Sequence, residues 1–109
     1  MTTLYGLKNC DSCRKALKAY AAAGKTVRFH DLRADGLTAA RLEAWLQALG
    51  WERLINRRST TWRNLDAAEK AELDDARALA LGLAHPSLLK RPIVESADGV
   101  SVGFDPEKI

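Results

Sequence analysis

Cys10 and Cys13 are the only cysteines of this chain, and they stand at C-x-x-C spacing. The thiolate, not the thiol, is the nucleophile, and a C-x-x-C motif is a recurrent setting for a lowered thiol pKa. The pair falls where the apolar run Thr3-Leu4-Tyr5 passes through Gly6 into a helical pattern. A cysteine at such a point faces unpaired backbone N–H groups at the positive end of the helix dipole, which favours thiolate. Cys10 is therefore the candidate nucleophile, toward an oxyanion or toward a disulfide sulfur. Cys13 lies one helical turn on and on the same side, where its sulfur would resolve a mixed disulfide formed at Cys10. Asn9 and the backbone N–H groups from Asp11 and Ser12 to Arg14 would cradle anionic charge, as helix N-termini do. A zinc site would need His30 and His85 to complete it, and neither is spaced as a metal motif requires, so no metal is expected.

The elements that must position these thiols read as an α/β domain. Residues 2–5 form a strand. Asp11 or Ser12 can cap a helix whose apolar positions Cys13, Leu17, Tyr20 and Ala21 recur at helical spacing, with Gly24 placed to end it. Val27-Arg28-Phe29-His30 alternates apolar and polar residues as a half-buried strand should. Strand, helix and strand within about thirty residues make a βαβ unit with parallel strands and a right-handed crossover. The middle of the chain is helical. Thr38 can cap a helix with the stripe Leu42, Trp45, Leu46 and Leu49 ending at Gly50, and Asp66 with Glu69 suggests a capping box. A further helix presents Ala76, Leu79, Ala80 and Leu83, with Pro86 just past its end. Pro92-Ile93-Val94-Glu95 and Val100-Ser101-Val102 then read as strands joined across Asp98-Gly99. The expected order is βαβ, a helical insertion at about 37–88, then ββ, in one domain spanning 1–109. Asp105-Pro106-Glu107 resembles a helix start, yet the chain stops at Ile109 within the first turn, which suggests a truncated C-terminal helix.

Bulk properties agree. A chain of 109 residues, 47% hydrophobic and 28% charged, suits one globular domain with a real core. No apolar stretch is long enough to span a bilayer and no leader is visible, so a reducing cytoplasm is the expected setting. There a cysteine pair does chemistry more often than it holds structure. The net charge of +3 is mild and argues neither for direct nucleic-acid binding nor for a membrane partner.

Four blocks carry a family resemblance. They are Leu4-Tyr5-Gly6-Leu7-Lys8-Asn9-Cys10-Asp11-Ser12-Cys13-Arg14-Lys15-Ala16, His30-Asp31-Leu32-Arg33-Ala34-Asp35-Gly36-Leu37, Leu54-Ile55-Asn56-Arg57-Arg58-Ser59-Thr60-Thr61-Trp62-Arg63, and Leu89-Lys90-Arg91-Pro92-Ile93-Val94. In that order the chain resembles the arsenate reductase-like (ArsC/Spx) family, and most of all its small YffB-like branch. The resemblance implies a thioredoxin-like mixed sheet with a helical insertion between its two halves. It implies that Pro92 follows a cis bond opposite the reactive cysteine, and that Arg91 contacts the anionic substrate or the intermediate on Cys10. Arginine suits forked recognition of oxyanions. A second anion-contacting arginine is implied in the 57–63 region, with Arg58 the nearest match and Arg57 and Arg63 its rivals. Lys8 and Lys90 add local positive charge, and Trp62 reads as a packing anchor.

The family's arsenate reductases carry a third arginine near the end of the last strand. The matching stretch here, Val102-Gly103-Phe104-Asp105-Pro106, has none, and those enzymes usually lack a cysteine at the place of Cys13. The leading expectation is thus a thiol–disulfide oxidoreductase linked to glutathione or glutaredoxin, with glutathione as co-substrate and no bound cofactor. An arsenate reductase forming a Cys10–arsenate adduct is the nearby variant. An Spx-like redox-sensing regulator that binds the α subunit of RNA polymerase is the alternative from another class, and a plain interaction domain with vestigial cysteines is the third.

Overall fold

A computed structural model of the chain describes residues 2–103. The suspected helix start at Asp105-Pro106-Glu107 lies outside them. The chain forms two compact units, one from Met1–Gly36 with Arg91–Ile109 and the other from Leu37–Lys90.

The first unit is a mixed α/β layer. Strand β1 (Thr2–Gly6) leads into helix α1 (Asp11–Ala22), and strand β2 (Val27–Asp31) follows. Strands β3 (Ile93–Ser96) and β4 (Gly99–Val102) complete a four-stranded sheet in the order β2-β1-β3-β4. β1 and β2 run parallel, pairing Leu4 with Phe29 and Gly6 with Asp31. β1 and β3 are antiparallel, with Tyr5 opposite Ile93, and β3 turns back on β4 as a hairpin. The alternation of β1 explains its central place, since Leu4 is fully buried beneath α1 with Cys13 and Ala16 while Tyr5 points to the opposite face. Leu17, Tyr20, Val27, Phe29 and Val94 pack around that cluster. On α1 the expected stripe is shifted. Ala21 is exposed, and Ala16 takes the buried place beside Cys13, because the sheet covers the early turns of the helix, where small side chains allow a close approach.

The second unit is helical: α2 (Ala39–Leu49), α3 (Trp51–Leu54), α4 (Thr60–Arg63), α5 (Ala67–Lys70) and α6 (Asp75–Ala84), then a 3₁₀ turn at Pro86–Leu88. Thr38 caps α2 by accepting from the Arg41 N–H at 3.3 Å, and Leu42, Trp45 and Leu46 are its buried face. Asp66 and Glu69 form the capping box, but α5 is a single turn. The stripe expected on α6 is wrong in phase. Ala76, Ala80 and Leu83 are exposed, and the buried positions are Ala78, Leu81 and Gly82. Gly82 is the reason: its Cα lies so near the Leu42 and Leu89 side chains that the helix packs on its smallest residue. The unit closes where Ile55 bridges Leu89, with Asn56 N–H donating to the Leu88 carbonyl at 2.8 Å and Lys90 N–H to the Leu54 carbonyl at 2.7 Å. Among the described residues no helix is long and apolar enough to cross a membrane.

Candidate active site

The site grows from the end of β1. After Gly6 the chain turns through residues 7–10, where the Cys10 N–H donates to the Leu7 carbonyl at 3.1 Å, and then enters α1. No hydroxyl or carboxylate stands at the N-cap of α1. Cys10 does, with an extended backbone. Its sulfur is thereby aimed at the first-turn N–H groups that an oxygen cap would satisfy.

Cys10 is half-buried and Cys13 is 1% exposed, and both are free thiols. Their surroundings drive them apart. Burial alone would raise the Cys10 pKa, but the Cys13 backbone N–H, the Cys13 thiol and the Arg91 guanidinium all bond to the Cys10 sulfur and hold it below the ordinary thiol value. Cys13 is pushed up to about 11, first by burial, and further by acting as donor to an adjacent thiolate; the Leu7 backbone and Arg91 oppose this only in part. Of the two thiols Cys10 is thus the more readily ionised, and Cys13 is the one that holds its proton.

Gly6 makes room for this arrangement. A Cβ there would overlap the Cys13 sulfur and stand 3.3 Å from Cys13 Cβ, so the strand end must be glycine for the second thiol to sit under the first.

Arg91 arrives from the other side of the sheet order. Because Tyr5 pairs with Ile93 in antiparallel register, the residues before β3 run alongside the end of β1 and bring Arg91 to the Cys10 sulfur. The Arg91–Pro92 bond is cis, and Pro92 is buried, its carbonyl accepting the Gly103 N–H at 2.8 Å. Asn9 is exposed in the turn, and its carbonyl accepts from Arg14 at 3.3 Å. Asp11 and Ser12 are exposed in the first turn of α1, and the Asp11 carboxylate pairs with Arg14 at 3.4 Å.

Arg57, Arg58 and Arg63 belong to the helical unit. Arg57 lies over the Trp51 ring at 5.7 Å, and the Arg58 N–H donates to the Asn56 side chain at 3.0 Å. Arg63 is exposed at the end of α4, and Trp62 is half-buried beneath the Lys70 ammonium at 5.4 Å.

One residue of the site escaped the sequence reading. Asp31, at the end of β2, is 5% exposed. One carboxylate oxygen accepts the Arg33 and Ala34 N–H groups, each at 2.8 Å, and the other accepts the Lys8 N–H at 3.1 Å. The Ala34 bond does most to hold its pKa below the ordinary carboxylate value; burial opposes, and the Arg33 and Lys8 N–H groups and the Lys8 charge add to the lowering. Asp31 thus ties the cysteine-bearing turn to the end of the neighbouring strand. An acid closing a strand just before the Asp35-Gly36 turn was the available signal.

A description of the ArsC family fits residues 5–109 of the chain. An uncharacterized protein of Haemophilus influenzae is 44% identical over 105 residues, 96% of this chain and 92% of that protein. The global transcriptional regulator Spx of Streptococcus pneumoniae is 33% identical over 113 residues, covering 100% of this chain and 83% of the regulator. A solved structure of a YffB protein superposes with a TM-score of 0.95 at 41% identity, covering 99% of this chain and 95% of that one. With a four-stranded mixed sheet and the fold of these thioredoxin-like neighbours, the chain belongs to the ArsC family.

Proposed function

We propose that this protein is a thiol–disulfide oxidoreductase that works with glutathione or a glutaredoxin. The observation that carries the reading is the placing of Cys10 at the N-cap of α1, with the Cys13 N–H, the Cys13 thiol and the Arg91 guanidinium on its sulfur. This favours its thiolate, above a buried Cys13 whose pKa is pushed up to about 11. Cys10 attacks one sulfur of a substrate disulfide, forming a Cys10–substrate mixed disulfide and expelling the other half as thiolate, which takes up a proton. The Cys13 sulfur then attacks the Cys10 sulfur. The bond to the substrate breaks, and the departing thiolate takes a proton as Cys13 gives one up. The resulting Cys10–Cys13 disulfide is reset by two glutathione thiols, which supply two electrons and leave as glutathione disulfide. Arg91 steadies the developing sulfur anion in both exchanges. Arg58 and Arg63 are proposed as contacts for the anionic end of the ligand on their place in the family pattern alone.

The test is glutathione-dependent reduction of a small disulfide. Cys10→Ser should abolish it, and Cys13→Ser should accumulate a mixed disulfide visible by intact mass. Equal turnover by wild type and Cys10→Ser defeats the reading. Arg58→Gln and Arg63→Gln, taken singly, should each raise the KM for the anionic disulfide.

Two neighbouring readings rest on relatives. Arsenate reduction is favoured by the family, but the 102–106 stretch offers no third arginine for the oxyanion. A coupled assay with arsenate, glutathione, glutaredoxin and NADPH decides it. A redox-sensing regulator is favoured by the match to Spx. It requires retention of the RNA polymerase α subunit in a manner that depends on whether Cys10 and Cys13 are oxidised.

A further inference from the structure

Beside the cysteine turn lies an open cleft of about 400 Å³, lined by Leu7, Lys8, Asn9, Asp31, Arg33 and Ala34. We propose that this cleft is the subsite for a carboxylate-bearing arm of the thiol carried on Cys10, with Lys8 and Arg33 as the residues that select it. The proposal rests on the thiol–disulfide reading of the same site and adds where the ligand lies and which charge it must bear.

Position is the first argument. Asn9 lines the cleft and Cys10 follows it directly, and consecutive Cα atoms are about 3.8 Å apart. Cys10 itself does not line the cleft, and its sulfur is hydrogen-bonded to Cys13 and Arg91, so the arm in question is one that runs back from the sulfur along the turn to reach the cleft at Asn9. The volume falls within the range of small-ligand pockets, roughly 300–1,000 Å³, and suits one arm of a tripeptide thiol.

Charge is the second. The lining carries two cations and one acid. Asp31 offsets one of them, since the Lys8 charge acts on its carboxylate. Its oxygens are turned to backbone N–H groups and the residue is buried, so the lining keeps a net positive charge with both cations outermost. The polar side chains that the cleft shows to solvent are Lys8, Arg33 and Asn9, beside the exposed Ala34 and the half-buried Leu7.

The third argument is that the two cations are held in place. The N–H of Lys8 and the N–H of Arg33 bind the same Asp31 carboxylate, at 3.1 and 2.8 Å. The Leu32 N–H adds a bond to the Gly6 carbonyl at 2.8 Å, stitching the two strand ends together. Two flexible side chains thus project from backbones fixed by one buried group, so less ordering remains to be done when an anion binds. Both neighbours were parts of separate sequence blocks, and the fold makes them one wall.

The experiment measures the second-order rate of mixed-disulfide formation at Cys10, by mass, in a Cys13→Ser background. Three reagents are compared: glutathione disulfide, the neutral bis(2-hydroxyethyl) disulfide, and the cationic cystamine. The parent should favour glutathione disulfide over the neutral reagent, and Lys8→Gln with Arg33→Gln should cut that ratio about tenfold, the size of two exposed ion pairs together. Arg33→Glu should move the preference toward cystamine. Lys18→Gln, an exposed cation of α1 outside the lining, should keep the parental ratio. A ratio unmoved by the double substitution, with the neutral reagent still reacting, overturns the subsite and leaves the oxidoreductase standing. Failure of all three reagents to modify Cys10 overturns both.

Discussion

The Cys10 sulfur sits half-exposed at the start of α1, where the Cys13 N–H, the Cys13 thiol and Arg91 stabilise its anion against the cost of burial. Its alkylation by iodoacetamide should therefore rise with pH through a midpoint below that of an ordinary thiol, while Cys13, pushed up to about 11, stays silent across the neutral range. Arg91→Met removes both a hydrogen bond and a positive charge from the thiolate, so the midpoint should move upward; an unshifted profile would mean the guanidinium does not reach the sulfur. Asp31 makes a second case. Replacing it by Asn puts an amide N–H against one of the backbone N–H groups its oxygens now accept, and hydrogen bonds to a charged group are worth about 2 kcal/mol. Because the folded pKa is depressed, the stability that Asp31 supplies is fully present above the ordinary carboxylate value and is lost as pH falls through the lowered native one. Urea melts should show a wide gap between wild type and Asp31→Asn at neutral pH that narrows in strong acid. A gap that is constant with pH would assign the loss to packing.

Elements were legible where their own periodicity decided them and illegible where a neighbour did. β1, α1, β2, α2 and the terminal hairpin follow from alternation, caps and glycines that lie within each segment. α3 and α4 are single turns with too few residues to show a period, so the sequence reading passed over them. On α6 the hydropathy stripe pointed to the wrong face, since the helix is seated by Gly82, a residue with no hydropathy to register. That placement can be checked. Gly82→Ala improves helix propensity by about 1 kcal/mol. However, the new Cβ would stand 2.8 Å from Leu42 Cδ2 and 3.3 Å from Leu89 Cδ2, both on fully buried side chains, and overpacking costs about 1–3 kcal/mol. Steric cost should win, and chemical denaturation should show the variant less stable by about 1 kcal/mol. A more stable variant would mean that Gly82 is not the close-approach point between α2 and α6.

Across the whole molecule, the parallel β1–β2 pair and the β3–β4 hairpin could be read from the sequence because a βαβ unit and a tight turn each fix their own pairing. The antiparallel seat of β3 beside β1 joins segments about ninety residues apart and carries no local signal. The Cys10–Cys13 pair stood out by its C-x-x-C spacing alone, whereas Arg91 was named only through the family resemblance, and the structure sets its guanidinium against the Cys10 sulfur. The Lys8–Asp31 bond was not legible, because it joins residues 23 apart whose meeting depends on β1 and β2 lying parallel. Charge is the property that belongs to no single part. The chain carries +3, and Lys8, Arg33 and Arg91 all belong to the unit that holds Cys10. A positive field of this kind draws an anionic reagent from a distance, and it is screened over about 10 Å at 0.1 M salt. The rate at which Cys10 reacts with glutathione disulfide should fall about threefold between low salt and about 0.5 M sodium chloride, whereas the rate with a neutral disulfide should stay level. The residual preference at high salt then reports contact at short range, where screening is weak. A rate for the anionic reagent that does not depend on salt would remove long-range steering and leave the cleft cations as the sole source of charge selection.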